Sequence, residues 1–200
     1  MAKTPMQQNT VTPSANALAD AARAASKGKG LPPVHLWNPP FCGDLDMRIA
    51  RDGTWFYEGT PIGRPALARL FSTILKREGD KYFLVTPVEK VGITVDDAPF
   101  VAVDFRVAGT GCDQHVTFVT NMGDEALAGP DNALRVERDA ESGEPAPYIH
   151  IRAGLEALID RKSFYRLVEL GQHAEHDGAS WFGIWSAGVF FPIIPSAELA

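Results

Sequence analysis

Apolar side chains at Leu67, Leu70, Phe71, Ile74 and Leu75 fall at i, i+3, i+4, i+7 and i+8, one stripe of an amphipathic helix lying on a sheet. The turn Gly59-Thr-Pro-Ile-Gly-Arg-Pro65 precedes it, with its second proline suited to the first helical position, and Gly79 is the expected stop. Elsewhere the period shortens to two. Arg48–Arg51 and Thr54–Glu58 flank Asp52-Gly53, a strong hairpin signal, and Lys81–Val85 and Val91–Val95 read as the next strands. Asp96-Asp-Ala-Pro99 breaks the pattern and marks a domain boundary. Beyond it, Phe100–Val107 and His115–Thr120 alternate as half-buried antiparallel strands joined by Ala108-Gly-Thr-Gly111. Leu134–Arg138 and Tyr148–Arg152 form a second hairpin with a longer Glu141–Pro147 loop. Leu155, Leu158 and Ile159 suggest one helical turn, and Asp160 caps a helix running through Leu170 to Gly171.

Part of this pattern is said twice. Ile62–Phe71 aligns without gaps on Ile159–Val168 with four identities in ten columns, where composition alone gives about 0.6. Arg48-Ile-Ala-Arg-Asp52 echoes Arg135-Val-Glu-Arg-Asp139 upstream, and Tyr82-Phe-Leu-Val85 is followed in the second copy by Trp181-Phe-Gly-Ile184 downstream. The expected fold is therefore α+β, with duplicated strand-strand-helix-strand units in two lobes. The boundaries are a tail over 1–30, an N-terminal domain over 31–98 and a C-terminal domain over 99–200.

Composition alters this picture little, but charge placement does. At 45% hydrophobic and 22% charged residues, the 200-residue chain can bury a core. Cys42 and Cys112 follow no spacing rule for a disulfide framework or a metal cluster. No apolar run approaches the length of a membrane span and no secretory pattern opens the chain, so a cytoplasmic protein is expected. Residues 1–30 carry Lys3, Arg23, Lys27 and Lys29 against Asp20, which leaves −9 of the net −6 on the remainder. So acidic a body argues against nucleic-acid binding. The tail is expected to be mostly disordered, with a frayed helix over Ala15–Ala25, and trimming it should cost little stability. Folded structure should begin near Leu31, with Leu36 and Trp37 as anchors in a proline-stiffened segment.

Three places invite chemistry. At Glu58–Arg64 a strand passes through a turn into a helix, so free N–H groups, the positive dipole end and Arg64 form an anion seat. The competing reading is structural: Thr60 caps the helix and Arg64 pairs with Glu58. The second copy supplies Arg161 after Asp160, whose charge would compete with an anion. Along Pro87–Val95, a continuous strand would put Glu89 on the face of Val91, Ile93 and Val95; either a bulge intervenes at Glu89-Lys90 or Glu89 meets a cation in a buried junction. At Trp181–Trp185 both faces are apolar, as in a central strand or an aromatic cleft wall, and Ser186 could offer a ligand a hydrogen bond.

Catalytic patterns are otherwise missing. Ile184-Trp-Ser-Ala-Gly188 lacks the first glycine of a nucleophile elbow, and neither a Walker loop nor His-Glu-x-x-His occurs. His173 and His176, read near a helix end, lack an evident third metal ligand. Asp44 and Asp46 share one strand face and suit capping or pairing with Arg48.

Phe41-Cys-Gly-Asp-Leu-Asp-Met-Arg-Ile, Asp52-Gly-Thr-Trp-Phe-Tyr-Glu-Gly-Thr-Pro-Ile-Gly-Arg-Pro, Tyr82–Lys90, Thr120-Asn-Met-Gly-Asp124 and Trp185-Ser-Ala-Gly188 resemble the bacterial domain-of-unknown-function family 1285, over roughly residues 35–195. The resemblance implies a duplicated α+β fold, a C-terminal half like a pleckstrin-homology domain, and a site between the halves for a nucleotide-like ligand in signalling. It carries over no catalysis. The reading is a regulatory binding protein, without cofactor or metal, whose small anionic ligand meets Glu58, Arg64, Glu89, Lys90, Asn121, Asp124 and Trp185. The two cations would meet phosphate or carboxylate, and Trp185 would stack on a ring. The alternatives are an enzyme of unrecognised type using Glu58 or Glu89 as general base, and a module offering a sheet edge to a protein partner.

Overall fold

The computed structural model describes residues 14–26, 30–139 and 141–199. The chain divides into two compact units, Met1–Met47 with Tyr57–Thr94, and Arg48–Phe56 with Val95–Ala200. The tip of the first hairpin thus groups with the second unit, although the break in pattern lies at Asp96–Pro99.

In the first unit, helix α1 (Ala15–Ala25) has Ser14 as N-cap, its hydroxyl accepting the Ala17 N–H at 3.3 Å. Leu18 and Ala22 are fully buried and α1 packs on α2 (Pro65–Thr73), so this stretch is no frayed part of a tail. Leu18 is the one large apolar residue in a run of alanines, enough to dock it. The remainder of the expected disordered tail, 1–13 and 27–29, lies outside the described residues. Sheet order is β3-β2-β1-β6-β5-β4, from β1 (Phe41–Ile49), β2 (Trp55–Tyr57), β3 (Thr60–Pro61), β4 (Leu75–Glu78), β5 (Lys81–Val85) and β6 (Lys90–Val95). Leu45, Met47, Phe71, Ile74, Leu84 and Val91 are buried. Val34, Phe83 and Val85 form a separate small cluster that takes in Trp37, whereas Leu36 is 73% exposed and anchors nothing.

Helix α2 begins at Pro65, as the proline rule requires, but stops at Thr73 rather than at Gly79. Leu75–Glu78 instead pairs antiparallel with β5 across Gly79-Asp80. The expected bulge at Glu89-Lys90 is replaced by a turn at Pro87-Val88, where Thr86 N donates to Glu89 O and the Thr86 hydroxyl accepts the Glu89 N–H. Val85 then pairs with Lys90, and β6 starts there.

The second unit holds β7 (Phe100–Ala108), β8 (His115–Thr120), β9 (Glu125–Leu127), β10 (Leu134–Arg138), β11 (Pro145–Arg152) and β12 (Leu155–Ile159) in the order β10-β11-β12-β7-β8-β9. Strands β12 and β7 run parallel, with Ala157 beside Phe100. The helical turn expected at Leu155–Ile159 is thus a strand, with Leu155, Ala157 and Ile159 facing inward. Helix α3 (Arg161–Val168) starts at its predicted cap, the Asp160 carboxylate accepting the Ser163 N–H at 2.7 Å. It packs against β7 and β14, the middle strand of the sheet β13 (Gln172–His176), β14 (Ala179–Ser186) and β15 (Val189–Pro195).

Four hairpins share one device. Glu58-Gly59, Ala153-Gly154, Asp177-Gly178 and Ala187-Gly188 each place two successive residues at positive φ, 47° to 51° and then 72° to 77°, the twist-matched turn of two-residue hairpins. The order of three strands, a helix and three strands therefore occurs twice, β1–β6 around α2 and β10–β15 around α3. The pairing differs: β6 lies beside β1 in the first set, whereas β12 of the second lies beside β7.

Candidate functional site

A cleft of about 340 Å³ opens in the second unit between the β1–β2 loop, the Glu144–Pro147 segment and the start of α3. Its charged rim is Arg51, Glu144, Asp160 and Arg161, and Pro147, Phe164 and Tyr165 form apolar wall. A second cleft of about 410 Å³ shares Arg51, Glu144 and Pro145 with the first and adds Arg138, Asp139, Ser142 and Tyr148.

Local chemistry fixes each wall. Arg51 stands in the three-residue loop Arg51-Asp-Gly53, where Gly53 N donates to Ala50 O, Ala50 N donates to Thr54 O, and Asp52 accepts the Thr54 N–H at 2.9 Å. That bond holds the Asp52 carboxyl below its usual range. Gly53 has φ +83° and packs on Asn121 and Val101, so a Cβ there would lie 3.0 Å from Val101 Cγ2 and closer still to the Asn121 amide. Across the cleft, the Asp139 carboxylate accepts from Glu141 N, Ser142 N and the Ser142 hydroxyl at 2.7–3.1 Å, which lowers its pKa and closes the β10–β11 loop.

Behind the rim runs a linked set of polar groups. Arg51 Nε lies 3.1 Å from Asp97 Oδ2, and the Tyr148 hydroxyl donates to Asp97 Oδ1 at 2.8 Å. Burial, and then the Asp97 contact, push the Tyr148 phenol up to about 12. The Arg135 guanidinium covers the Tyr148 ring at 4.3 Å and is held in turn by Glu156 through two bonds of 2.8 Å. Arg161 faces Glu144 at 3.3 Å, with both side chains more than two-thirds exposed.

The seven residues singled out in the sequence divide between the units, and none lines either cleft. In the first unit Glu58 is exposed at the tip of its two-residue turn. Arg64 is the exposed N-cap residue of α2; Thr60, in β3, does not cap the helix. Glu89 is half-buried, and burial raises its carboxyl pKa. Lys90 lies over the Phe83 ring and pairs at 2.9 Å with Glu78, which also binds Lys76 and is held below its usual range by the two lysines. In the second unit Asn121 and Asp124 close the β8–β9 turn, Asn121 accepting the Val101 N–H at 3.1 Å and Asp124 pairing with Arg152. Trp185 packs on Phe190.

Two further expectations change. Ser186 is fully buried and serves the fold, accepting the Val116 N–H and donating to Ala128 O. His173 and His176 are on strand β13 rather than at a helix end, and His173 Nδ1 lies 2.8 Å from the Ser196 hydroxyl. Among the described residues no group of three or more His, Cys, Asp or Glu is arranged to hold a metal, and no helix is long and apolar enough to cross a membrane.

Two family models match the chain in tandem: the N-terminal domain of unknown function DUF1285 over residues 32–98, and the C-terminal domain of the DUF1285 protein of unknown function over 99–193. The chain belongs to the DUF1285 family. It is similar to the crystal structure of a DUF1285 family protein from Silicibacter pomeroyi DSS-3, at 66% identity and a TM-score of 0.83 over 91% of this chain and 97% of that one. A DUF1285 protein from Shewanella baltica OS155 is 30% identical over 62% of this chain and 91% of its own, with a TM-score of 0.49. No curated protein matches the chain.

Proposed function

We propose that this DUF1285 protein is a cytoplasmic regulatory or signalling binding protein, and that its second unit takes a small anionic, nucleotide-like ligand in the cleft between Arg51 and Arg161. The observation that carries the reading is the pairing of two exposed guanidiniums, at 66% and 74% side-chain exposure, with Pro147, Phe164 and Tyr165 in one cavity. Guanidiniums take oxyanions through parallel N–H bonds, and prolines and aromatic rings give a flat ring a surface to lie on. The Asp160 carboxylate is engaged with the Ser163 N–H as the cap of α3, and Glu144, which neutralises Arg161, forms an ion pair so exposed that it contributes little and yields to a better-placed anion. A volume of about 340 Å³ sits at the small end of ligand cavities, the size of a mononucleotide rather than a polymer.

Isothermal titration of the full chain with adenosine 5′-monophosphate tests the reading. Saturable binding is expected, weakened about tenfold by Arg161→Ala and by Arg51→Ala. Absent binding, or affinity unchanged in both variants, overturns it. We also infer that the repeated element order reflects a duplication, and that the C-terminal half is related to pleckstrin-homology domains. Superposing the two strand-helix-strand sets should bring Arg64 onto Arg161 and Leu70 onto Leu167; helices left in unrelated surroundings would refute the duplication.

A further inference from the structure

We infer that Asp97, fixed by Tyr148, is the positioning residue for Arg51 in this cleft, an inference that rests on the ligand site proposed above. Arg51 is 66% exposed, and a guanidinium on so long a stem surrenders rotamer freedom when it grips an anion. Asp97 removes much of that loss in advance. Its Oδ2 meets Nε, the inner nitrogen of the guanidinium, so the two outer Nη groups can still meet two oxygens of a ligand side by side.

The carboxylate can hold that arginine because it is itself held. Asp97 is 17% exposed, and its Oδ2 is shielded from water with no aligned hydrogen bond, so its compensation is the charge of Arg51. Its Oδ1 takes the hydroxyl of Tyr148, a residue 6% exposed under the Arg135 guanidinium. Rotating the carboxylate would break one contact or the other. The support ends on the paired strands β10, β11 and β12, where Arg135 stands opposite Tyr148 and Glu156 opposite His150. Asp97 contributes to a ligand's affinity only through Arg51, since neither cleft is lined by Asp97 itself.

Titration of the full chain with adenosine 5′-monophosphate separates the outcomes. Asp97→Asn is expected to weaken binding about three- to tenfold, the factor that ordering one long side chain contributes. Tyr148→Phe keeps the ring under Arg135, frees the carboxylate, and should weaken binding by a smaller factor; it also serves if Asp97→Asn does not fold. In an Arg51→Ala background, Asp97→Asn should have no further effect, an outcome that a merely structural role would not produce. Without ligand, the Arg51 Nε–H resonance should be sharp in the wild type and broadened in Asp97→Asn. The inference is overturned if Arg51→Ala weakens binding while Asp97→Asn binds as tightly as the wild type or more tightly, which would make Asp97 a competitor. If Arg51→Ala and Arg161→Ala both bind normally, the ligand site fails first and the positioning role falls with it.

Discussion

The hydroxyl of Ser186 on β14 accepts the N–H of Val116 on β8 at 2.9 Å, and it donates its own O–H to the carbonyl of Ala128 at 2.7 Å. One buried side chain thus satisfies two backbone groups and ties the three-stranded sheet to the six-stranded one within the second unit. Gln114 continues the seam, donating to Trp185 O at 2.7 Å while its own carbonyl takes the Ala187 N–H. Ser186→Ala removes no apolar packing but strands both groups out of reach of water. A loss of about 2 kcal/mol is expected, read as a lower urea midpoint at unchanged slope.

Helix α1 gives a second expectation. Leu18 is fully buried between α1 and the rest of the first unit, so Leu18→Ala should cost about 3 kcal/mol by the cavity it leaves. Removing the chain through residue 26 should lower the melting temperature at least as far. A truncated protein that melts with the full chain would show that α1 does not hold the unit together.

Elements with a single strong signal were legible from sequence: Asp52-Gly53 for the first hairpin, Asp160 for the cap of α3, and alternation along Phe100–Ala108 and His115–Thr120. Leu155–Ile159 was not, because Leu155, Leu158 and Ile159 fit a helical stripe as well as Leu155, Ala157 and Ile159 fit a strand. The deciding feature is the turn at Ala153-Gly154, and alanine at positive φ leaves no mark in composition. The cleft was hidden for a different reason. Arg51 lies in a hairpin loop, Asp97 in the break after β6, Tyr148 in β11 and Arg161 on α3, and only the fold joins positions so far apart. Lys90 reads as available for an anion in the sequence because Glu78, its partner two strands away, falls at the expected helix end.

Two glycines on strands separate backbone clashes from yielding ones. A Cβ on Gly183 would run into the carbonyl of Phe191 on the paired strand and lie 2.7 Å from the Phe190 ring. The carbonyl cannot move without breaking the ladder, so Gly183→Ala should cost about 3 kcal/mol or more. A Cβ on Gly92 meets the tip of the Asp44 carboxylate, the far end of an exposed side chain that can swing aside. Gly92→Ala should therefore stay within about 1 kcal/mol of the wild type. Thermal melts of the two variants check the contrast, and equal losses would mean that Asp44 is fixed where it lies.

Tyr148 should leave its signature in alkali. The chain has four tyrosines, and the Tyr148 phenol is pushed up to about 12, first by burial and then by the hydrogen bond to Asp97; Tyr57 is raised as well, chiefly by burial. A phenol whose folded pKa exceeds its unfolded value of about 10 binds its proton more tightly in the folded state. Its contribution is therefore complete below about pH 10 and is lost as the pH rises toward about 12. Tyrosinate absorbance should accordingly rise in stages, and Tyr148→Phe should delete the last. Asp97→Asn should move that stage to lower pH, since it removes the negative charge that opposes phenolate formation. A Tyr148 that ionises near the usual tyrosine value of about 10 would mean that its hydroxyl is in water and that Asp97 is not bound to it.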